Sequence, residues 1–182
     1  MFEIRPSRDG DLPAITRIYR HHVLHSTATF ETEAPDEAEM ARRRHEVLGR
    51  SLPWLVAEVD GVVQGYAYAN WFKPRGAYRY AIEDSIYLDP AALGRGLGGA
   101  LLTELLALCE AQGVRRALAV IGGSDNLASI GLHRRLGFEP AGTVPSYGWK
   151  FGRWLDLIFM QKSLGDGDRT APTLFPDQEP AP

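Results

Sequence analysis

The sequence has little cysteine, little excess charge and no long apolar run. Its 182 residues include one cysteine, Cys109, so an internal disulfide is impossible and a reducing, cytoplasmic location is expected. The net charge of −3 gives no electrostatic reason to expect a nucleic-acid partner. No apolar run approaches membrane-spanning length, and the short, charged stretch over residues 1–9 is unlike a signal peptide. We therefore expect no membrane partner.

The histidines lack the spacing that is typical of a metal site. Three of them follow the pattern His-His-x-x-His, at His21, His22 and His25. A helix would place two of these rings on one face, but a zinc site needs a third protein ligand, and the sequence offers no candidate at a suitable spacing. We therefore expect no metal.

The sequence does contain enough apolar material for one domain with a buried core, since 45% of its residues are hydrophobic. Residues 1–164 form the predicted domain, and residues 165–182, rich in Pro, Asp and Gly, form a predicted disordered tail. Hydrophobic periodicity and turn residues predict the order β-α-α-β-β-β-α-β-α-β-β. The predicted strands lie near residues 2–5, 54–59, 62–68, 78–88, 116–121, 138–143 and 149–160, and the predicted helices near 9–24, 35–48, 100–112 and 127–136.

A glycine-rich stretch, residues 93–102, follows the fourth predicted strand and leads into the third predicted helix. Glycines let the backbone approach an anion, and the first N–H groups of a helix point at it, so this stretch predicts a phosphate site. It is not a Walker loop, because Ala100 and Leu101 stand where Lys and Ser or Thr would follow the last glycine. It matches a dinucleotide-binding turn only loosely, and it lies mid-chain, with three predicted strands before the one that leads into it.

Two blocks of sequence carry a resemblance to a known family. Residues 96–98, Gly-Leu-Gly, fit the end of the pattern Gln/Arg-x-x-Gly-x-Gly/Ala, although Leu93 replaces the Gln or Arg. Residues 126–138 read Asn-x-x-Ser-x-x-x-His-x-Arg-x-Gly-Phe. In these blocks and in its element order the chain resembles the GNAT superfamily of N-acetyltransferases. The resemblance implies an α/β fold: a mixed central sheet of about seven strands, with splayed parallel central strands, and about four helices.

Longer segments resemble one branch of that superfamily, the phosphinothricin acetyltransferases, which include methionine sulfoximine and methionine sulfone acetyltransferases. The segments are residues 26–33, 54–58, 73–78, 119–122 and 149–156. The resemblance implies direct acetyl transfer, in a ternary complex, from acetyl-CoA to the α-amine of a small amino acid such as methionine sulfoximine, methionine sulfone or phosphinothricin. It also implies a homodimer and no metal.

The same resemblance implies a set of contacts to acetyl-CoA. The glycine-rich turn would hold the pyrophosphate through backbone N–H groups. The end of the preceding strand would pair with the pantetheine arm, and one of its N–H groups would stabilise the thioester oxygen as that oxygen gains charge. The residues implied are Ile86, Tyr87, Leu88, Gly94, Arg95, Gly96, Leu97, Gly98, Gly99, Asn126 and Ser129.

Two side chains are candidates for the chemistry. Glu83 lies in a mostly apolar strand, where desolvation would raise the pKa of its carboxyl toward the value that a base needs near pH 7. It also stands at the position of the base proposed for the branch. His133 stands where many relatives have a tyrosine that serves the departing thiolate, and imidazole can donate a proton near neutral pH. Strand alternation should turn Asp84 to the other face of the sheet, in a structural role.

An acceptor that carries a carboxylate suits Arg75, whose guanidinium can bind it with two hydrogen bonds. Lys73 and Tyr78 stand close enough in sequence to assist, and Phe30 would close the side-chain end of the acceptor site. Two alternatives remain open at this point. The acceptor could be a protein N-terminus or another amine, or the chain could be a non-catalytic acyl-CoA-binding module.

Overall fold

A computed structural model describes residues 2–172 of the chain. Its strands are β1 (Phe2–Pro6), β2 (Trp54–Val59), β3 (Val62–Trp71), β4 (Ala81–Leu88), β5 (Arg116–Gly122), β6 (Glu139–Lys150) and β7 (Arg153–Ser163). Its α-helices are α1 (Leu12–His25), α2 (Glu37–Gly49), α3 (Leu97–Ala111) and α4 (Leu127–Arg135). The strands form one sheet in the order β1-β2-β3-β4-β5-β7-β6, which confirms the predicted mixed α/β fold.

The sheet opens in its centre, where the only parallel pair of described strands lies. Strands β4 and β5 pair over Ala81–Asp84 and Arg116–Ala119, and no pairing is found beyond those residues. Strand β4 nevertheless continues to Leu88, still paired with β3 on its other edge. The two central strands therefore splay apart as predicted, and the second half of β4 turns an unpaired edge toward the gap.

Helices cover both faces of the sheet, and alternate residues of β4 point to different helices. Tyr87 packs edge-on against Tyr19 of α1, with ring centroids 4.9 Å apart. On the opposite face, Leu88 of β4 and Leu101 of α3 both approach Gly65 of β3. Because side chains alternate along a strand, Glu83 shares the α1 face with Tyr87, and Asp84 shares the α3 face with Leu88.

Several predicted element boundaries are wrong, most clearly at the start of α3 and between the last two strands. Helix α3 begins at Leu97 rather than at residue 100, because glycines are tolerated in a first turn whose N–H groups have no intrahelical acceptor. The last two strands meet at a two-residue turn, Phe151-Gly152, where both residues have positive φ (52° and 72°). Residues 144–148 look like a turn in sequence, yet they belong to β6, whose register with β7 shifts twice.

Part of the predicted tail is packed against the start of β5. Leu164, the last residue of the predicted domain, is 2% exposed, and its N–H donates to the carbonyl of Arg115. In the tail itself, the exposed side chain of Asp168 pairs with Arg116 at 2.8 Å. The boundary at residue 165 stays a prediction, and residues 173–182 of the predicted tail lie outside the described residues. Over residues 2–172, no helix combines the length and the apolarity needed to cross a membrane.

Candidate active site

A cavity of about 970 Å³ occupies the gap between β4 and β5. One end, the glycine end, is lined by the turn before α3 and by the first residues of α4. The other end, the loop end, is lined by Glu83, by Gly122 of β5 and by residues 27–30, which belong to the segment between α1 and α2. The unpaired part of β4, residues 85–88, runs along the wall between the two ends.

The glycine end is made mainly of backbone. Gly96 is the N-cap of α3 and has φ +81°, a conformation that glycine adopts without strain. The helical hydrogen bonds start with Ala100 N–H to the Gly96 carbonyl (3.2 Å), so the preceding N–H groups of the first turn have no acceptor one turn back. A Cβ on Gly98 would lie 3.4 Å from side-chain atoms of both Leu88 and Leu132, so the backbone lies close to its surroundings. This arrangement suits a phosphate group.

The predicted residues at the glycine end are mostly in the cavity wall. The exception is Arg95, which is exposed and does not line the cavity, although its neighbours on both sides do. Leu93, which replaces the usual Gln or Arg, lines the cavity and is 60% exposed. The wall residues that the sequence predicted here are Gly94, Gly96, Leu97, Gly98, Gly99, Asn126 and Ser129, together with Ile86, Tyr87 and Leu88 along β4.

His133 lies in the same wall, but both of its ring nitrogens are already bonded. Nδ1 lies 2.8 Å from the Ser129 carbonyl, which can only accept, and Nε2 lies 2.9 Å from Asp84 Oδ2. Burial lowers the pKa of His133, but the hydrogen bond and the charge of Asp84, with the Ser129 carbonyl, outweigh it and leave the pKa raised. The pair is deeply buried, with side-chain exposures of 3% and 1%. Strand alternation correctly predicted the face of the sheet on which Asp84 lies, but no sequence pattern indicated that Asp84 pairs with His133.

Glu83 stands at the loop end, half-buried, on the sheet face opposite Asp84. Burial and the nearby charge of Asp84 raise the pKa of its carboxyl to about 7, and Lys73 acts in the opposite direction. A carboxyl with this pKa is ionised in part of the molecules at neutral pH and can accept a proton from an amine. This geometry agrees with the environment that the sequence predicted for Glu83.

The loop end contains groups that the sequence analysis missed. Besides the predicted Phe30, its wall includes Thr27, Ala28, Gly122 and Tyr147. The ammonium of Lys150, on β6, donates to two backbone carbonyls of the loop that carries Phe30. No pattern in the sequence indicates that Lys150 turns inward to contact a loop more than 120 residues earlier in the chain.

Lys73, Arg75 and Tyr78 do not line the cavity of this chain. Lys73 and Arg75 are exposed in the segment between β3 and β4, and the Tyr78 ring packs edge-on against Phe72, with ring centroids 5.5 Å apart. The pairing of Asn70 with Glu83 brings this segment to the end of the sheet where Glu83 lies. The three residues are thus neighbours of the cavity rather than part of its wall.

Two further observations limit the chemistry. Burial raises the pKa of the Cys109 thiol to about 12, and the side chain lies inside α3, so it is unsuited to carry an acyl group. Within residues 2–172, no cluster of three or more His, Cys, Asp or Glu side chains could hold a metal ion.

Comparison with known proteins gives consistent results. The profile of the Acetyltransferase (GNAT) family matches residues 15–138. Phosphinothricin N-acetyltransferase of Alcaligenes faecalis is 52% identical over 169 residues, covering 93% of this chain and 86% of that protein. The L-methionine sulfoximine/L-methionine sulfone acetyltransferase of Pseudomonas paraeruginosa is 43% identical over 171 residues, covering 93% and 98%. The crystal structure of a GNAT superfamily phosphinothricin acetyltransferase from Sinorhizobium meliloti, in complex with acetyl-CoA, superposes with a TM-score of 0.93 at 49% identity, covering 97% of this chain and 96% of that one.

Proposed function

The chain belongs to the acetyltransferase (GNAT) family, and from this premise we propose that it transfers an acetyl group from acetyl-CoA to the α-amine of a small amino acid. Methionine sulfoximine, methionine sulfone and phosphinothricin are the acceptors we propose, because relatives named for these compounds align with nearly the whole chain. The observation that carries the proposal is the cavity itself, which joins a backbone anion site to a carboxyl with a pKa of about 7.

Acetyl-CoA fits the glycine end. Backbone N–H groups of Leu97, Gly98 and Gly99 are free to bind its pyrophosphate. The unpaired edge of β4, residues 85–88, would bind the pantetheine arm as an additional strand would. When bound, acetyl-CoA supplies the thioester carbonyl that the amine attacks.

We assign the chemistry to Glu83 and to the backbone of β4. Glu83 accepts a proton from the α-ammonium of the acceptor, directly or through water, and so frees the amine to attack. An N–H group of residues 86–88 stabilises the negative charge that develops on the carbonyl oxygen. Burial raises the pKa of the Glu83 carboxyl, so its carboxylate is a stronger base than an exposed one. Because the amine attacks the thioester directly, acetyl transfer needs no acyl-enzyme and no metal.

For His133 we propose a smaller role, next to the departing sulfur. Its Nδ1–H is held by the Ser129 carbonyl, and its Nε2 shares a proton with Asp84. His133 can give a proton to the thiolate only by breaking one of these bonds. Because a thiol also leaves readily as its thiolate, loss of His133 should slow the reaction less than loss of Glu83.

We further propose that Arg75 and Lys73, from the segment beside the cavity, bind the acceptor carboxylate, with Tyr78 assisting. The support is chemical, since a guanidinium can bind a carboxylate with two hydrogen bonds. The segment also lies near Glu83, because the charge of Lys73 acts on the pKa of that carboxyl.

We also propose a homodimer in the cytoplasm. The hairpin of β6 and β7 exposes four large aromatic side chains, each more than half exposed: Tyr147, Trp149, Phe151 and Trp154. An apolar patch of this kind is typical of a protein–protein interface, and a second copy of the chain would cover it. A molar mass in solution equal to that of one chain would contradict this assembly.

The proposed location in the cytoplasm rests on the single buried cysteine, which suits a reducing compartment.

The proposed function is tested by the acceptors that release CoA from acetyl-CoA. Methionine sulfoximine, methionine sulfone and phosphinothricin should be turned over much faster than their decarboxylated amines or than peptides with a free N-terminus. Equal rates with simple amines or peptides would contradict the proposal and favour an acetyltransferase for protein N-termini or other amines. Binding of acetyl-CoA with no CoA release for any acceptor would favour a non-catalytic module.

A further inference from the structure

The loop end of the cavity depends on a segment that has no regular structure of its own. Residues 26–31, which we name the wall loop, lie between α1 and α2, and residues 26–30 of the loop line the cavity. A loop keeps one conformation only if other parts of the molecule hold it. Tyr19 holds Thr29 and Glu31 through its hydroxyl, Arg43 also bonds Glu31, and two further contacts come from strands of the sheet.

The first contact is made by Lys150, the last residue of β6. Its ammonium donates to the carbonyl of Ser26 at 2.9 Å and to the carbonyl of Thr29 at 2.8 Å, so it joins both sides of the wall loop. The side chain is buried, at 5% exposure, and the Phe151 ring lies 5.0 Å from Nζ. Among the described residues, its hydrogen bonds go to carbonyls rather than to a carboxylate, which is unusual for a buried lysine.

The second contact is a slot for the ring of Phe30. A Cβ on Gly122 of β5 would lie 2.6 Å from Phe30 Cε1, and a Cβ on Gly148 of β6 would lie 2.6 Å from Phe30 Cδ2. Both distances are shorter than real Cβ contacts, so the ring fits only because glycine stands at both positions. Neither glycine has the positive φ that would explain it by backbone conformation.

From these contacts we infer that Lys150 and Gly148 are both positioning residues for the acceptor amino acid and act through the wall loop. Lys150 fixes the path of the wall loop, and Gly148 fixes the place of the Phe30 ring within it. The inference rests on the proposed function, because it assigns the loop end to the acceptor. It also makes a structural claim, that the wall loop is held from β6, which can be measured without any substrate.

The test of Lys150 compares Lys150→Met with Lys150→Arg and with a matched control, Lys162→Met. Lys162 also donates to a backbone carbonyl, that of Leu136 at 2.6 Å, but it lies outside the cavity. Lys150→Met should raise the KM for the acceptor roughly tenfold, the effect of losing charged hydrogen bonds, and leave the KM for acetyl-CoA unchanged. Lys150→Arg should restore part of the loss, and Lys162→Met should change neither KM.

The test of Gly148 is a double-mutant cycle with Phe30. Gly148→Ala should raise the acceptor KM in the wild-type background and change it little in a Phe30→Ala background, where no ring remains to be displaced. Gly49→Ala is the control, because a Cβ at Gly49 meets nothing within 4 Å. Equal effects of Gly148→Ala in both backgrounds would overturn its role.

Hydrogen exchange separates this inference from the proposed function. Amides of residues 26–31 should exchange faster in Lys150→Met than in the wild type, with α3 unchanged, whichever acceptor the enzyme uses. Unchanged exchange in the wall loop overturns the positioning role. If exchange increases but the wild type acetylates no small amino acid, the proposed function is wrong and the structural role of Lys150 stands.

Discussion

The two ends of the cavity are built in different ways. The glycine end uses the backbone of one short stretch, residues 93–99, with the start of α4 beside it. The loop end combines parts that are far apart in sequence: the wall loop, Glu83, Gly122 and the end of β6. The first end needs particular backbone conformations, and the second needs particular side chains brought together by the fold.

This difference predicts how each end responds to change. Most substitutions at the glycine end should be harmless unless they replace a glycine, because the groups proposed to bind the cofactor are N–H groups. At the loop end, we propose that single side chains carry the chemistry and shape the site. The effects predicted below begin with Glu83, the side chain proposed to act as the base, and are given in order of decreasing size.

The largest effect is expected for Glu83→Gln. If Glu83 is the base, kcat should fall by ~10²–10⁴-fold while both substrates still bind. In the wild type the rate should rise as the pH increases through about 7, because the carboxyl must lose its proton before it can accept one. The variant should lack this rise and recover activity only where the free amine forms without help.

The comparison would fail if Glu83→Gln kept wild-type turnover at pH 7. Bulk water or another group would then take the proton, and the loop end would be a binding site without a base. Circular dichroism and the KM for acetyl-CoA serve as controls that the variant is folded and binds at the other end.

The second effect concerns stability. His133→Phe removes the partner of Asp84, whose other oxygen, Oδ1, is buried and has no hydrogen-bond partner within the described part of the chain. Breaking a buried pair in this way costs ~3–5 kcal/mol in the free energy of unfolding, which urea titration measures. Asp84→Asn, which can still donate to a neutral His133, should cost less.

The pH dependence of that loss follows from the raised pKa of His133. A raised pKa in the folded state gives stability that is fully present below pH 6.5, the ordinary value, and is lost as the pH rises through the raised value. The difference in the free energy of unfolding between the wild type and His133→Phe should therefore shrink at alkaline pH. A constant difference across this range would show that the ring acts only through packing.

A smaller effect, on the acceptor alone, is expected for Arg75→Ala. Loss of a bidentate bond to a carboxylate costs ~1.5–3 kcal/mol, which corresponds to a rise of roughly 10- to 150-fold in the acceptor KM. Arg75→Lys should restore only part of the loss. An unchanged acceptor KM would show that the acceptor is bound by the cavity wall alone, without the segment between β3 and β4.

The smallest effect is a shift in the pH profile. The positive charge of Lys73 lowers the pKa of Glu83, so Lys73→Met should raise it and move the rise in kcat/KM to higher pH. Lys162→Met is a suitable control for the loss of a lysine elsewhere. A profile that does not move would show that Lys73 is too well solvated to influence the base.

The same difference explains what could be predicted from the sequence. The glycine turn was recognisable because consecutive residues form it, and Glu83 because its strand neighbours are apolar. The wall loop was correctly predicted to be a loop, but its position was not, because Lys150 and Gly148 hold it from across the fold. Local patterns hold no information on such long-range contacts.

Two residues at the edges of the site show the same limit. Arg95 lies between two cavity-lining glycines, yet it is exposed and does not line the cavity. The second ring nitrogen of His133 is bonded to Asp84, 49 residues earlier in the chain, and no local pattern indicates this contact.

The most direct test of the account measures both KM values in two variants, one at each end of the cavity. Gly98→Asp places a negative charge where the pyrophosphate would bind and should raise the KM for acetyl-CoA, roughly 10- to 150-fold, with little change for methionine sulfoximine. Phe30→Ala should raise the KM for methionine sulfoximine and leave that for acetyl-CoA nearly unchanged. This crossed result is expected if acetyl-CoA binds at the glycine end and the acceptor at the loop end. If both KM values rose together in either folded variant, the cavity would not have two separate ends, and the assignment of acetyl-CoA and acceptor would be contradicted.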